Sequence, residues 1–370
     1  MDSLGPGVRA PAAAPAPERE PPDATFDLFT VGEPLICLTA DGRLPASPSL
    51  RKSIGGAEAN VAIGLARLGL RAGYAACVGD DPFGDEIVRT LRGEGVDVAS
   101  VRRSHRRATG LMIKERRSPQ DVRVHYYRHG SAASELDAIG VLPRARHVHA
   151  TGITLALGAG PASAVHALLA HARATGASVS FDANIRLKLW SAQEAVAAIG
   201  AVLPYVDDLL LSEAEALAIS GVAQRGEAPA ISGAAHPGEA LAISGAAQRG
   251  EVLAISGAAE LDAALERLGE TGVARIVVRR GARGAVGIAN GERCEVPAIA
   301  AGPVVDSVGA GDAFTAGYLF ERLSGAGFEA AMTTGSWAAG HVVAHAGDYD
   351  GLPDRAEYDA WRRADRVADR

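Results

Sequence analysis

The feature that most constrains this chain is the regular exchange of short aliphatic runs with amphipathic stretches of helical period. "FDLFTVG" (26–32) reads as a strand, and "AEANVAIGLARLG" (57–69) as a helix with Val61, Leu65 and Leu68 on one face. "GYAACVG" (73–79) reads as the next strand, and "FGDEIVRTLRGEG" (83–95) as a helix closed by glycine. The rhythm continues through "RHVHATG" (146–152), a helix from Pro161, "ASVSFDAN" (177–184), a helix opening at Ser191, "DDLLLS" (207–212) and "RIVVRRG" (275–281). Such alternation predicts an α/β fold, a mostly parallel central sheet with helices on both faces. Ligands in these folds lie at the carboxyl ends of the strands. Polar residues follow the aliphatic runs there: Asn184 and Arg186, Ser212 and Glu215, and Arg280.

Two stretches break the rhythm. Residues 32–54 and 100–130 carry alternating patterns such as "VRVHYYRH" (122–129), expected to form a small antiparallel β flap, or lid, beside the main sheet. The second stretch is basic, with Arg102, Arg103, Arg106, Arg107, Lys114, Arg116 and Arg117, and is expected as a solvated outer face. "AISG" recurs at 218, 230, 242 and 254. Copies this short and rich in Ala, Gly and Ser supply no hydrophobic face for a solenoid, so 219–256 reads as an expanded surface loop. Residues 1–24, rich in proline and alanine, bury too little to order and read as a disordered tail. Residues 359–370 read as a charged C-terminal tail. Without the tail and three extra repeat copies roughly 310 residues remain, a size for one α/β domain, placed at 25–358.

Composition narrows the function classes. A net charge of -7 gives no reason to expect nucleic acid as partner. The three cysteines (Cys37, Cys77, Cys294) are odd in number and far apart, which suggests neither a disulfide framework nor a thiolate zinc site. No run approaches the roughly 18 apolar residues of a membrane span, and the N-terminus lacks a signal peptide's apolar core. A cytoplasmic protein with no membrane partner is expected. Exposed lid strands are safer when paired, so a homodimer or higher homo-oligomer through the lid is also expected.

The stretch that carries chemistry is "DSVGAGDAFTAG" (306–317). Gly309, Ala310 and Gly311 expose consecutive backbone amides just where a helix begins. Free N–H groups and the helix dipole then point at one spot, which makes an anion site. Asp312 favours a first helical turn in any case, but a capped helix needs no glycines on both sides of Ala310. Amides that hold developing negative charge, beside a carboxylate that takes a hydroxyl proton, suit phosphoryl transfer. Neither a Walker sequence nor a dinucleotide G-x-G-x-x-G after a strand is present.

Neighbouring motifs sharpen this. "GGAEANVA" (55–62) puts paired glycines before a helix with Asn60 in its opening turns, and "RRGARGAVG" (279–287) makes a glycine-rich link between strands. Taken together, these motifs resemble the ribokinase-like (PfkB) carbohydrate kinases. Asp306 to Asp312 matches the family's Asp/Asn-x-x-Gly-Ala-Gly-Asp signature at every fixed position, and the resemblance spans about 26–355. "GEPL" (32–35), "YYRHGSAAS" (126–134), "HATGIT" (149–154), "DANIRLKLW" (182–190), "LSEAEA" (211–216) and "GDYDGLP" (347–353) look like the 2-keto-3-deoxygluconate kinase branch.

The resemblance implies ATP-dependent phosphorylation of the 6-hydroxyl of a six-carbon keto acid, with ATP and Mg2+ as cofactors and a sugar acid as partner. It makes Asp312 the base and the amides of Gly309, Ala310 and Gly311 the anion hole. Gly55 and Gly56 would lie against the sugar, with Asn60 near its hydroxyls and Asp348 holding one of them. Tyr126 and Arg128 would reach in from the lid, and Arg186 from just after a core strand; forked guanidinium donors suit a carboxylate. Asn184, Ser212, Arg280, Gly281, Gly284 and Ser336 would border the nucleotide, and Glu215 would organise magnesium through water. The chain departs from many relatives at Met112 and Ile185, where tyrosine is frequent, and at Ser212 and Ser336, where asparagine is. A non-catalytic sugar-binding protein on this fold would not need Asp312.

Several residues have plainer readings. Tyr126 and Tyr127 alternate on a strand, so one must point away from any site. His147 and His149 share a strand face without a visible third ligand, which favours a satisfied core pair over a metal. Asp80, Asp81 and Asp85 around Pro82 read as a helix start.

Overall fold

The computed structural model describes residues 25–118, 121–137, 139–222 and 258–368. The repeat lies, from residue 223 on, outside the described residues, as does the N-terminal tail. The aliphatic runs form β1 (Phe26–Val31), β4 (Ala72–Gly79), β8 (Ala145–Thr151), β9 (Ser178–Asp182), β10 (Asp208–Ser212) and β11 (Arg275–Arg279). Strands buried on both faces need apolar residues at every position, and Leu209, Leu210 and Leu211 of β10 are all at 0 % exposure. With β5 (Val101–Ser104), β12 (Ala285–Ala289) and β13 (Glu292–Val296) they make a nine-stranded sheet, ordered β13-β12-β11-β10-β9-β8-β1-β4-β5. Pairing is parallel from β5 to β11; β12 and β13 add an antiparallel edge.

Alternate strand residues feed two helical layers. Phe29, Val31, Leu209, Leu211, Ile276 and Val278 pack with α4 (Ala159–Thr175), α5 (Ala192–Val202), α6 (Glu213–Ser220) and α7 (Ala258–Gly269). Leu28, Leu210 and Val277 face α1 (Ala57–Arg67), α8 (Ala310–Leu323) and α9 (Phe328–Val343). The expected helix starts hold locally. Asp81 accepts the Gly84 amide at 2.8 Å ahead of Pro82 in α2 (Pro82–Gly93), and Ser191 caps α5 with Glu194 in a reciprocal box. A one-turn helix, α3 (Gly152–Leu155), follows β8.

The lid is a second sheet, ordered β3-β2-β6-β7, from β2 (Leu35–Asp41), β3 (Arg51–Gly55), β6 (Leu111–Ser118) and β7 (Asp121–Tyr127). Two of its pairings are antiparallel, while β2 and β6, far apart along the chain, run parallel. Three expectations need correcting. The basic strand β5 joins the main sheet beside β4 instead of the lid, because "VRRS" alternates on an edge. Lys114 is not on a solvated face: it is 1 % exposed. Residues 359–368 are not a separate tail but continue α10 (Arg355–Ala368), which docks by stacking Trp361 on Trp337 at 4.8 Å between centroids.

Candidate active site

The glycine turn sits at the carboxyl end of the sheet. Gly309 has φ 87°, and a Cβ built there would lie 2.2 Å from the Asp348 carbonyl oxygen, so only glycine fits. Among the described residues the amides of Gly309 and Gly311 have no acceptor, and that of Ala310 reaches only Ser307 O at 3.5 Å. Donors left open in this way at the start of α8 are the feature by which a helix N-terminus can hold an anion.

Asp312 stands in the first turn of α8, partly accessible. Burial pushes its carboxyl up to about 7; the Asn60 hydrogen bond opposes this, the Asp182 charge adds to it, and Arg186 and Arg279 oppose it. Asn60 Nδ2 donates to Asp312 Oδ2 at 2.8 Å across α1 and α8, while its own Oδ1 is buried without a partner. The pair thus sets a carboxyl raised toward neutral pH beside an unpartnered acceptor, an arrangement able to receive a hydroxyl group.

Beneath the turn, Arg279 forms a bidentate pair with Asp182, both contacts 2.7 Å, and donates to Gly311 O at 3.0 Å. The adjacent Arg280, expected at the nucleotide border, is turned the other way by strand alternation, to Glu213 and Glu295. That period-two rule was the signal available for Arg279.

On the lid side, Gly55, Asp348 and Met112 come together. A Cβ at Gly55 would stand 2.6 Å from Asp348 Oδ2 and 2.8 Å from Met112 Cε, and one at Gly56 2.7 Å from Glu33 O. Tyr126 pairs with Met112 across the lid, and its ring meets Arg128 at 5.5 Å and Lys188 at 5.6 Å; Tyr127 points away, 60 % exposed. Arg128 is not an uncommitted clamp: its Nε donates to buried Glu33 at 2.6 Å. Arg186 has no hydrogen bond or ion pair at its guanidinium among the described residues, and its charge acts on Asp312.

On the nucleotide side the picture is mixed. Ser212 caps α6 in a reciprocal box with Glu215, whose Oε1 also accepts the Ile185 amide at 2.7 Å. Both residues therefore have a structural duty that the spacing S-x-x-E signals by itself. Asn184 is buried at φ 38° just after β9. Gly281 faces open space, whereas a Cβ at Gly284 would collide with Val296 O at 2.0 Å. Ser336 is buried within α9, 5 % exposed.

His147 and His149 form a buried ladder with Ser178 and Ser180, contacts of 2.7–2.8 Å. Burial drives their pKa values down to about 3 and about 4, so both are neutral core residues. Among the described residues no cluster of three metal-ligating side chains occurs, and no helix is long and apolar enough to cross a membrane.

Comparison with known proteins agrees with this geometry. The model of the pfkB family carbohydrate kinases matches residues 27–355. The chain belongs to that family. This carbohydrate kinase is 33 % identical to a 2-dehydro-3-deoxygluconokinase of Bacillus subtilis (strain 168), over 92 % of the chain and 97 % of the relative. It is also 33 % identical to one of Thermoproteus tenax, over 92 % and 95 %. The crystal structure of a PfkB protein from Polaromonas sp. JS666 superposes with TM-score 0.72 at 31 % identity, covering 91 % of the kinase and 100 % of that chain. The ribokinase-like fold and an ATP-dependent sugar kinase activity follow from this membership.

Proposed function

We propose that this kinase phosphorylates the 6-hydroxyl of a keto-acid sugar such as 2-keto-3-deoxygluconate. What carries the reading is the carboxyl of Asp312, raised to about 7 and bridged to Asn60, beside the bare amides that open α8. Asp312 takes the hydroxyl proton, the oxygen attacks the γ-phosphorus of ATP, and the bond to the bridging β–γ oxygen breaks to release ADP. The amides of Gly309, Ala310 and Gly311 hold the charge that develops on the transferring group. Asn60 Oδ1 and Asp348 Oδ2 accept sugar hydroxyls, and Arg186 meets the carboxylate.

Magnesium would travel with the nucleotide phosphates and neutralise their charge. Glu215 suits contact through water: Oε2 is engaged by the Ser212 amide and hydroxyl, but Oε1 accepts only the Ile185 amide. The 2-dehydro-3-deoxygluconokinase relatives support the acid sugar. A neutral sugar is the second reading, favoured by the neutralisation of Arg128 on Glu33. A coupled ADP-release assay over keto acids, hexoses and nucleosides decides. The expected outcome is highest kcat/KM for the keto acid, lost in Arg186→Ala; equal loss with a neutral hexose would refute the carboxylate contact.

A further inference from the structure

Lys114 lies on β6, in a basic run whose arginines mostly meet surface acids, yet it is 1 % exposed. Its ammonium is ion-paired with Asp348 Oδ1 and stands 3.9 Å from Asp306 Oδ2. These aspartates flank the phosphate-facing turn. Asp306 opens it, accepting the Val308 amide at 3.0 Å, and the Asp348 carbonyl occupies the space that a Gly309 Cβ would need. The Asp348 carboxylate is thereby divided: Lys114 takes Oδ1, and Oδ2 is left facing Gly55. Burial pushes the Asp348 carboxyl up, and the Lys114 charge and hydrogen bond are the main opposition to that rise. Without them the carboxylate would take up a proton more readily, which would turn an acceptor into a donor.

We propose that Lys114 is a positioning residue of the sugar site, holding Asp348 charged with Oδ2 turned toward Gly55 to accept a substrate hydroxyl. The inference rests on the reading of Asp348 given above. Because Lys114 comes from the lid and its partners from the core, the site is complete only with β6 seated. A lysine that only filled the lid interior would affect folding but not the sugar constant through Asp348.

The test measures kcat and both KM values, with 2-keto-3-deoxygluconate and ATP, for wild type, Lys114→Met, Lys114→Arg, Asp348→Asn and the double variant Lys114→Met/Asp348→Asn. Expected are a sugar KM raised at least tenfold in Lys114→Met with the ATP KM within twofold, and recovery of most of that loss in Lys114→Arg. The double variant should match Asp348→Asn alone, since the lysine acts through that carboxylate. A sugar KM within twofold of wild type in Lys114→Met overturns the proposal. So does a double variant at least tenfold worse than Asp348→Asn, a comparison that stands even if Lys114→Met fails to fold. An unchanged sugar KM in Asp348→Asn instead overturns the reading of Asp348, and the proposal with it.

Discussion

Asp312→Asn should make the protein inactive and more stable at once. The carboxyl is raised from 3.8 to about 7, so above that pH the folded state holds a charge that its surroundings disfavour. A gap of about 3 units at ~1.4 kcal/mol each sets a ceiling of ~4 kcal/mol, and water reaching the partly open cleft reduces this to about 2 kcal/mol. The sign follows from proton linkage. Between 3.8 and about 7 the folded state binds the extra proton, so wild-type stability rises as pH falls through that window. The amide variant has no such titration, and its new side-chain oxygen still accepts from Asn60 Nδ2. Thermal unfolding at pH 8 should place the variant roughly 3 °C above wild type, with the difference shrinking by pH 5. Turnover should fall by about three orders of magnitude or more. A variant no more stable than wild type at pH 8, or a difference that does not depend on pH, would refute the buried-base argument. Retained turnover would remove Asp312 as the base.

Further predictions follow from the same geometry. In wild type, kcat/KM should drop tenfold per pH unit below about 7 as Asp312 takes up its proton, a limb to be read from an ADP-release pH profile. Gly309→Ala should abolish activity and cost about 1–3 kcal/mol in urea unfolding, because its Cβ meets the Asp348 carbonyl in a left-handed backbone. Arg279→Met should destabilise by about 3–5 kcal/mol, since it leaves Asp182 buried without its cation. Unchanged urea midpoints in either variant would contradict these contacts.

Much of the fold was legible because its signals are local. Three consecutive leucines in β10 announce a strand covered on both sides, and Asp81 ahead of Pro82 announces a helix start. The glycine turn was legible for the same reason: two glycines around Ala310 at a helix start mark a turn that a merely capped helix would not need. The charged residues were harder to read. Lys114 sits among six arginines and shares their composition, so nothing nearby in the chain separates it from a solvated face. Arg128 looked available because Glu33, its partner, is 95 residues away.

Composition, periodicity and motif spacing therefore determined the layered α/β architecture and, by themselves, singled out the glycine turn and the candidate base. Only the tertiary structure decided which cations remain uncommitted, which aspartate oxygen faces Gly55, and that a lid lysine closes on the core. The physical reason is range. Hydrogen-bonded turns and buried strands are set by residues a few positions apart, whereas a charge takes its meaning from whichever opposite charge the folded chain brings beside it away from water.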